Sequence, residues 1–221
     1  YIYHADSDDW LEAGAIEKIA RKIEATDADI VYFDFYKEYP TKSKAKRERD
    51  YAVDAQREYV RNMYNHRSYA SVWNKCVRHS LYKEHKIYTP QYGYAEDCYL
   101  MSQLVGYSSS IVHLEEYLYH YRKGNPNALT GQQRRKRKRE YALNFLDLYE
   151  RYKNVPTEEN PVAVIFDDML IQAGWYSIFY RLDLFKQYPW LAAAVRKAKM
   201  HRKTDVWLLS QLITKLYVMF K

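Results

Sequence analysis

The chain opens on Tyr1-Ile2-Tyr3-His4-Ala5-Asp6-Ser7-Asp8-Asp9-Trp10, an apolar run followed by three acids. An amphipathic segment comes next, which predicts that the acids lie where a strand ends and a helix begins. Carboxylates at positions i and i+2 of an extended chain end can converge on one divalent cation, which is commonly completed by substrate phosphates. The same acids also suit a helix N-terminus, where Asp is favoured. The spacing alone leaves both interpretations open.

Working outward, the sequence predicts strands and helices in alternation up to residue 131. Apolar residues at helical spacing predict a helix over Trp10–Ala25, and the β-rich run Ala28–Tyr36 predicts a buried strand. Asp34 inside that strand suits an edge or a site residue. The polar stretch Lys37–Asp50 predicts an exposed loop. The remaining predicted elements are a helix capped by Asp54 and ending near Tyr64, a helix over Glu96–Val105, and two short strands, Ile111–Leu114 and Tyr117–Tyr121.

After Thr130 the pattern becomes helical throughout. The predicted helices are Gln132–Lys153, Pro161–Leu184, Pro189–Met200 and Asp205–Phe220. The sequence therefore predicts an α/β part over residues 1–131 and a helical appendage over residues 132–221.

Composition indicates an ordinary globular chain with a basic balance. Of 221 residues, 48% are hydrophobic, 29% are charged and 17% are aromatic, and the net charge is +7. Cys76 and Cys98 have no zinc-binding spacing. We see no signal peptide and no run long enough to span a membrane. Basic clusters at residues 42–49 and 134–139 suit either phosphate binding or a solvated face.

Four motifs resemble those of family 2 glycosyltransferases, in the order that the family has them. Asp6-Ser7-Asp8 is similar to the D-x-D motif, and Trp73-Asn74-Lys75 is similar to the W-N-K segment of the acceptor half. Glu96-Asp97 resembles the E-D pair that carries the catalytic base. Tyr119-His120-Tyr121-Arg122, with residues 125–130, resembles the loop that closes on the donor diphosphate. His4 departs from the usual apolar residue, and Ala128 from the frequent Ser.

The resemblance implies a fold, a cofactor and a role for each motif. It implies the acceptor-side part of a glycosyltransferase A-type, Rossmann-like domain followed by a helical region, with the N-terminal nucleotide-binding half absent. It further implies Mn²⁺ or Mg²⁺ and a nucleotide-sugar donor, with a UDP-sugar expected. In the resemblance Asp8 is a metal ligand, and Asp6 binds the donor ribose or the metal's water. Asp97 is the catalytic base with Glu96 as a helper, and Arg122 contacts the diphosphate, as does His120 unless it is structural. The implied acceptor-binding residues are Trp73, Asn74, Lys75 and Tyr94.

Two functions are consistent with this resemblance. The first is a metal-dependent, inverting transferase of bacterial polysaccharide synthesis, acting on a saccharide or lipid-linked acceptor and inactive as this chain alone. The second is a non-enzymatic module, derived from a split or degenerate transferase, that binds a glycan, lipid or partner. Nucleic-acid binding has no fold motif behind it. We expect a cytoplasmic protein. The pattern over residues 206–221 suits either a helix packed in a bundle or an interfacial helix, and in the second case this helix and residues 134–139 would contact anionic lipid at the inner face of the membrane. An exposed sheet edge would favour a homo-oligomer.

Overall fold

A computed structural model describes residues 1–124 and 134–198. The predicted closing loop at residues 125–130 and the predicted C-terminal helix lie outside these residues. The strands are β1 (Ile2–Tyr3), β2 (Trp10–Leu11), β3 (Ile30–Tyr39), β4 (Lys42–Lys46), β5 (Lys75–Val77) and β6 (Ile111–Arg122). The helices are α1 (Ala15–Thr26), α2 (Gln56–Tyr64), α3 (His79–Glu84), α4 (Glu96–Tyr107), α5 (Arg134–Tyr152), α6 (Phe166–Phe179), α7 (Leu184–Gln187) and α8 (Leu191–Lys197), with a 3₁₀ turn at Ala163–Ile165.

One mixed sheet organises the α/β part, with strand order β1-β5-β3-β6-β2. β3 and β6 pair in parallel, and β4 pairs with the far half of β3 as an antiparallel hairpin. The first residues of β3 are fully buried because helices cover both faces of the sheet. Alternate β3 side chains therefore enter two clusters: Tyr32 faces α2 and α4, while Phe33 and Phe35 face α1.

The helical part packs directly onto the sheet's helices. Tyr141 and Phe145 of α5 join the same core cluster as Tyr64 of α2 and Tyr99 of α4. No helix in residues 1–124 or 134–198 is both long and apolar enough to cross a membrane.

The start of the first helix corrects the interpretation of the acids as a helix cap. Trp10 and Leu11 form β2, which pairs with His120 and Tyr119 of β6, and α1 begins only at Ala15. The residue before α1 is Gly14, in a left-handed conformation with φ 75°, and no side chain caps the helix. The acids lie in a turn between two strands, so the capping alternative is wrong.

Five further features differ from the sequence predictions. The expected loop over Lys37–Asp50 contains the β3–β4 hairpin, and the two expected strands are one irregular strand, β6. Ala55, not Asp54, precedes α2. Asp34 is buried rather than at an edge: its carboxylate accepts the Glu48 N–H at 2.7 Å and contacts His113 Nε2 at 2.9 Å. The helix expected to begin at Pro161 begins at Phe166, after the 3₁₀ turn.

Candidate functional site

A cavity of about 640 Å³ lies where β3 and β6 end and α4 begins. The sheet contributes Phe35, Lys37 and Tyr121 to its walls, and Lys123 follows directly after β6. The remaining walls come from Met63 of α2, from the loop at residues 66–73, from residues 93–98 and from Tyr141 of α5. Of the predicted site residues, Trp73, Tyr94, Glu96 and Asp97 line this cavity.

Asp97 and Glu96 form the acidic side of the cavity, in the first turn of α4. Burial, followed by the charges of Glu96 and Asp6, raises the pKa of Asp97 from 3.8 to about 7. A hydrogen bond from the Val72 N–H and the charge of Lys75 oppose this rise. Burial is also the main cause that raises the pKa of Glu96. A carboxyl group with a pKa near neutrality can take up a proton at physiological pH, as a general base must.

The turn at residues 6–9 is fixed by β6. Asp9 accepts the Tyr119 hydroxyl at 2.8 Å and the backbone N–H of Arg122 at 2.8 Å, so both of its oxygens are engaged. Burial and then the charges of Asp9 and Asp8 raise the pKa of Asp6. The charge of Asp6 also raises the pKa of Asp97, so the turn lies near enough to the start of α4 for the two carboxylates to interact.

Asp6 and Asp8 suit a divalent cation only together with a substrate. In the part of the chain that the structure describes, no group of three or more His, Cys, Asp or Glu side chains is placed to hold a metal. Mg²⁺ and Mn²⁺ prefer oxygen ligands and are often bound by one or two carboxylates, with water and phosphate oxygens completing the shell. Burial and then the charges of Asp9 and Asp8 raise the pKa of Asp6, and a cation would relieve both the burial cost and the repulsion, so Asp6 and Asp8 fit such an ion.

Trp73 and Tyr94 give the cavity an aromatic surface, but Trp73 also belongs to the core. Its side chain is 6% exposed and stacks on Tyr119 and Tyr121, with ring centroids 4.6 Å and 5.1 Å apart. Tyr94 is partly exposed, and the Arg137 guanidinium lies 5.7 Å from its ring centroid. Tyr94 therefore has more surface available to a ligand.

The acceptor-binding prediction for Asn74 and Lys75 needs correction. Both residues are 0% exposed, and neither lines the cavity. Lys75 Nζ donates to the carbonyls of Tyr69 and Ser71 and to Asn74 Oδ1, each at 2.8 Å. Asn74 Nδ2 donates to the buried Glu48 carboxylate at 2.8 Å. The pair holds the 69–73 wall of the cavity in place and has no surface to offer an acceptor.

Arg122 and His120 lie beside the acidic turn and outside the cavity lining. The exposed Arg122 guanidinium lies 5.8 Å from the Trp10 ring centroid. Burial raises the pKa of Asp9, and the charge of Arg122 opposes that rise. The His120 ring stacks on Trp10, and its two nitrogens contact Glu38 and Glu12, each at 2.8 Å. These contacts hold the His120 ring against Trp10 and between two carboxylates, and its predicted contact with the diphosphate stays a prediction.

Sequence reasoning missed several lining residues, among them Lys37 and Lys123. The buried Glu48, which bonds Asn74 and the Tyr69 N–H, carried no recognisable signal because its partners are distant in the chain.

Comparison with known structures decides the fold. The chain matches a crystal structure of S. aureus TarS 1-349 with UDP-GlcNAc with a TM-score of 0.52 and 17% identity, over 87% of this chain and 54% of that one. A second TarS structure gives a TM-score of 0.53 and 16% identity, over 88% of this chain and 34% of that one. The chain has the TarS fold. The expected mixed α/β fold, followed by a helical region, is thereby confirmed.

A sequence relative supports the same comparison. The protein named putative glycosyltransferase EpsH, from Bacillus subtilis (strain 168), is 24% identical over 128 residues, which cover 55% of this chain and 37% of EpsH. No protein-family model matches the chain. The chain thus spans about half of TarS 1-349 and little more than a third of EpsH.

Proposed function

We propose that this chain is part of a glycosyltransferase that moves a sugar from a UDP-sugar to a hydroxyl of a saccharide or lipid-linked acceptor. One observation carries the proposal: the Asp97 carboxyl group lies in the cavity wall, and its pKa is raised to about 7. The TarS structure with UDP-GlcNAc supports a nucleotide-sugar donor. The name of EpsH supports the reaction class.

In the proposed reaction Asp97 accepts the proton of the acceptor hydroxyl. The new bond from this oxygen to the anomeric carbon forms as the bond from that carbon to the diphosphate breaks, and the nucleoside diphosphate leaves with the electron pair. Attack opposite the leaving group inverts the anomeric carbon. Asp97 suits this role because its raised pKa makes the carboxylate a stronger base than an exposed aspartate.

The donor diphosphate would lie between the acidic turn and the end of β6. Asp6 and Asp8 would hold Mn²⁺ or Mg²⁺, which when bound neutralises charge that develops on the diphosphate. Arg122 adds a guanidinium, whose planar fork matches phosphate oxygens. Glu96 keeps a second negative charge beside Asp97, which favours the protonated state of Asp97 once the hydroxyl proton has transferred.

The decisive experiment measures sugar transfer by the full-length protein with a UDP-sugar, with and without Mn²⁺. We expect Asp97→Asn to lower kcat by about 10²-fold to 10⁴-fold, the usual contribution of a general base. Asp8→Asn should raise the Mn²⁺ concentration needed for half-maximal rate. Asp54→Asn is the matched control, because Asp54 is exposed and lies outside the cavity lining.

Full activity of Asp97→Asn would exclude Asp97 as the base, and an unchanged Mn²⁺ requirement in Asp8→Asn would exclude Asp8 as a ligand. A wild-type protein that binds glycans without any transfer would favour the non-enzymatic alternative.

We also propose that the enzyme acts in bacterial polysaccharide synthesis, in the cytoplasm at the inner face of the membrane. Support comes from the exposed basic residues that begin α5, including Arg134, Arg135 and Lys136. Such a cluster is attracted to anionic lipid. Sedimentation with phosphatidylglycerol vesicles at low salt tests this location, and absence of the protein from the vesicle pellet would contradict it.

A further inference from the structure

Five lysines share the face of the sheet that opens into the cavity. In the β3–β4 hairpin Phe35 is opposite Lys46, Lys37 is opposite Lys44 and Tyr39 is opposite Lys42. Directly opposed residues of an antiparallel pair lie on the same face, and residues two apart along a strand do so too. With Lys123, which follows β6 and lines the cavity beside Lys37, they form what we call the lysine face: Lys37, Lys42, Lys44, Lys46 and Lys123.

The lysine face differs from its neighbours in lacking carboxylate partners. Within the described residues, no Asp or Glu oxygen lies within 4.0 Å of these five ammonium groups. The next two basic residues along the chain are paired: Arg47 contacts Asp50 and Glu115, and Arg49 contacts Glu58. The two arginines that follow β4 are therefore paired with carboxylates, whereas the lysines of this face are not.

Aromatic rings lie beside four of the five lysine heads along this face. Lys123 Nζ lies 4.1 Å from the Tyr121 ring centroid, and Lys37 Nζ lies 4.8 Å from that of Tyr69. Lys42 and Lys44 both lie about 6 Å from the Tyr39 ring. Burial and the charges of Lys123 and Lys46 lower the pKa of Lys37, which shows that these cations crowd one another. A bound anion would relieve that repulsion.

The face is continuous with the acidic side of the cavity. Lys37 and Lys123 share the cavity lining with Asp97, with Tyr121 and Trp73 among the other lining residues. A ligand that places a hydroxyl at Asp97 therefore reaches the lysines with its next groups. Aromatic surfaces suit sugar rings, and ammonium groups suit phosphate or carboxylate.

We propose that the lysine face binds anionic groups of the acceptor, so that the acceptor is a saccharide bearing phosphate or carboxylate beyond the unit that enters the cavity. The inference rests on the proposed function, because it names the substrate class of the same site. We infer a glycan rather than a membrane surface as the ligand, because Lys37 and Lys123 of the lysine face line the cavity.

The test measures equilibrium binding to the full-length protein, without donor, of three fluorescent dextran oligomers of equal length. One carries phosphate groups, one carries carboxymethyl groups and one is unmodified. Lys44→Gln/Lys46→Gln is compared with Arg47→Gln/Arg49→Gln, which removes the same charge from the next residues of the chain. Lys37→Gln/Lys123→Gln is a second test, should the first variant fail to fold.

We expect a phosphorylated or carboxymethylated dextran to bind wild type more tightly than the unmodified one. The lysine variants should weaken this binding about tenfold or more, the effect of losing a charged hydrogen bond, whereas the arginine variant should stay within about twofold. Equal binding of all three dextrans, or equal losses in both kinds of variant, would overturn the proposal.

A lipid source of the anion is tested in parallel with phosphatidylglycerol and phosphatidylcholine vesicles. Lysine-dependent binding to phosphatidylglycerol vesicles without binding to either anionic dextran would overturn the proposal in favour of a membrane surface. Because no turnover is measured, these results are independent of whether Asp97→Asn abolishes transfer, so the two proposals can fail separately.

Discussion

Asp97→Asn should make the protein more stable above neutral pH while removing its proposed activity. In the unfolded chain the Asp97 carboxyl loses its proton near its ordinary pKa of 3.8, whereas in the folded protein it keeps the proton until about pH 7. Below 3.8 both states are protonated, and between 3.8 and 7 only the folded state holds the proton. The contribution of Asp97 to the free energy of unfolding therefore falls as the pH rises through this window. Above it, the folded protein bears the full cost of a buried, charged carboxylate.

The size of the effect is set by the two pKa values. Raising a pKa from 3.8 to about 7 corresponds to at most about 4 kcal/mol, at 1.36 kcal/mol for each pH unit. Asparagine has no charge to desolvate, so the variant should lose this part of the pH dependence. It should equal wild type near pH 3.5 and exceed it by up to about 4 kcal/mol at pH 8.

Urea unfolding followed by circular dichroism from pH 3.5 to 8.5 measures this difference. Asp54→Asn is the control, because it removes an exposed aspartate and leaves the cavity unchanged. If the stability difference between Asp97→Asn and wild type shows no more pH dependence than that of the control, Asp97 does not have a raised pKa and the argument for a poised base fails.

Three other outcomes are expected. Lys75→Met should lower the free energy of unfolding in urea by about 3 kcal/mol or more, because it removes a buried cation that compensates Glu48. The double variant with Glu48→Gln should recover part of this loss. A loss under about 1 kcal/mol in the single variant would contradict the pairing of Lys75 with Glu48. Gly106→Ala should cost more than about 1 kcal/mol, because its Cβ would overlap the Pro161 carbonyl oxygen, whereas Gly93→Ala meets nothing within 4 Å and should leave the melting temperature nearly unchanged. The chain of 221 residues should show no melting shift with UDP and Mn²⁺, and a shift of several degrees would show that it binds the nucleotide by itself.

The local sequence pattern was sufficient to predict an element wherever one short segment was strongly apolar or matched a motif. The apolar run at the start of β3 and the helix beginning at Glu96 were predicted within a few residues. The motifs also predicted that Trp73, Tyr94, Glu96 and Asp97 belong to one site, and all four line the cavity. Their proposed roles stay predictions.

Elements that form only through contacts between distant segments could not be predicted from the local sequence pattern. Trp10 and Leu11 share a helical periodicity with the residues of α1, yet they form a strand because β6 supplies backbone partners. The alternating lysines of β4 have too little apolar character to predict a strand, and pairing with β3 makes them one.

The sequence by itself determined the buried strand β3, the helix that begins at Glu96 and the chemical groups available: an acidic turn, a second acid pair and an excess of lysine. Tertiary structure decided what those groups can do. Packing buried Asn74 and Lys75 under the cavity wall, raised the pKa of Asp97 by desolvation, and aligned the lysines of β4 with Lys37 on one face. Burial and register depend on which segments meet in space, and the free energy of ionising or exposing a side chain is set by those neighbours rather than by its place in the chain.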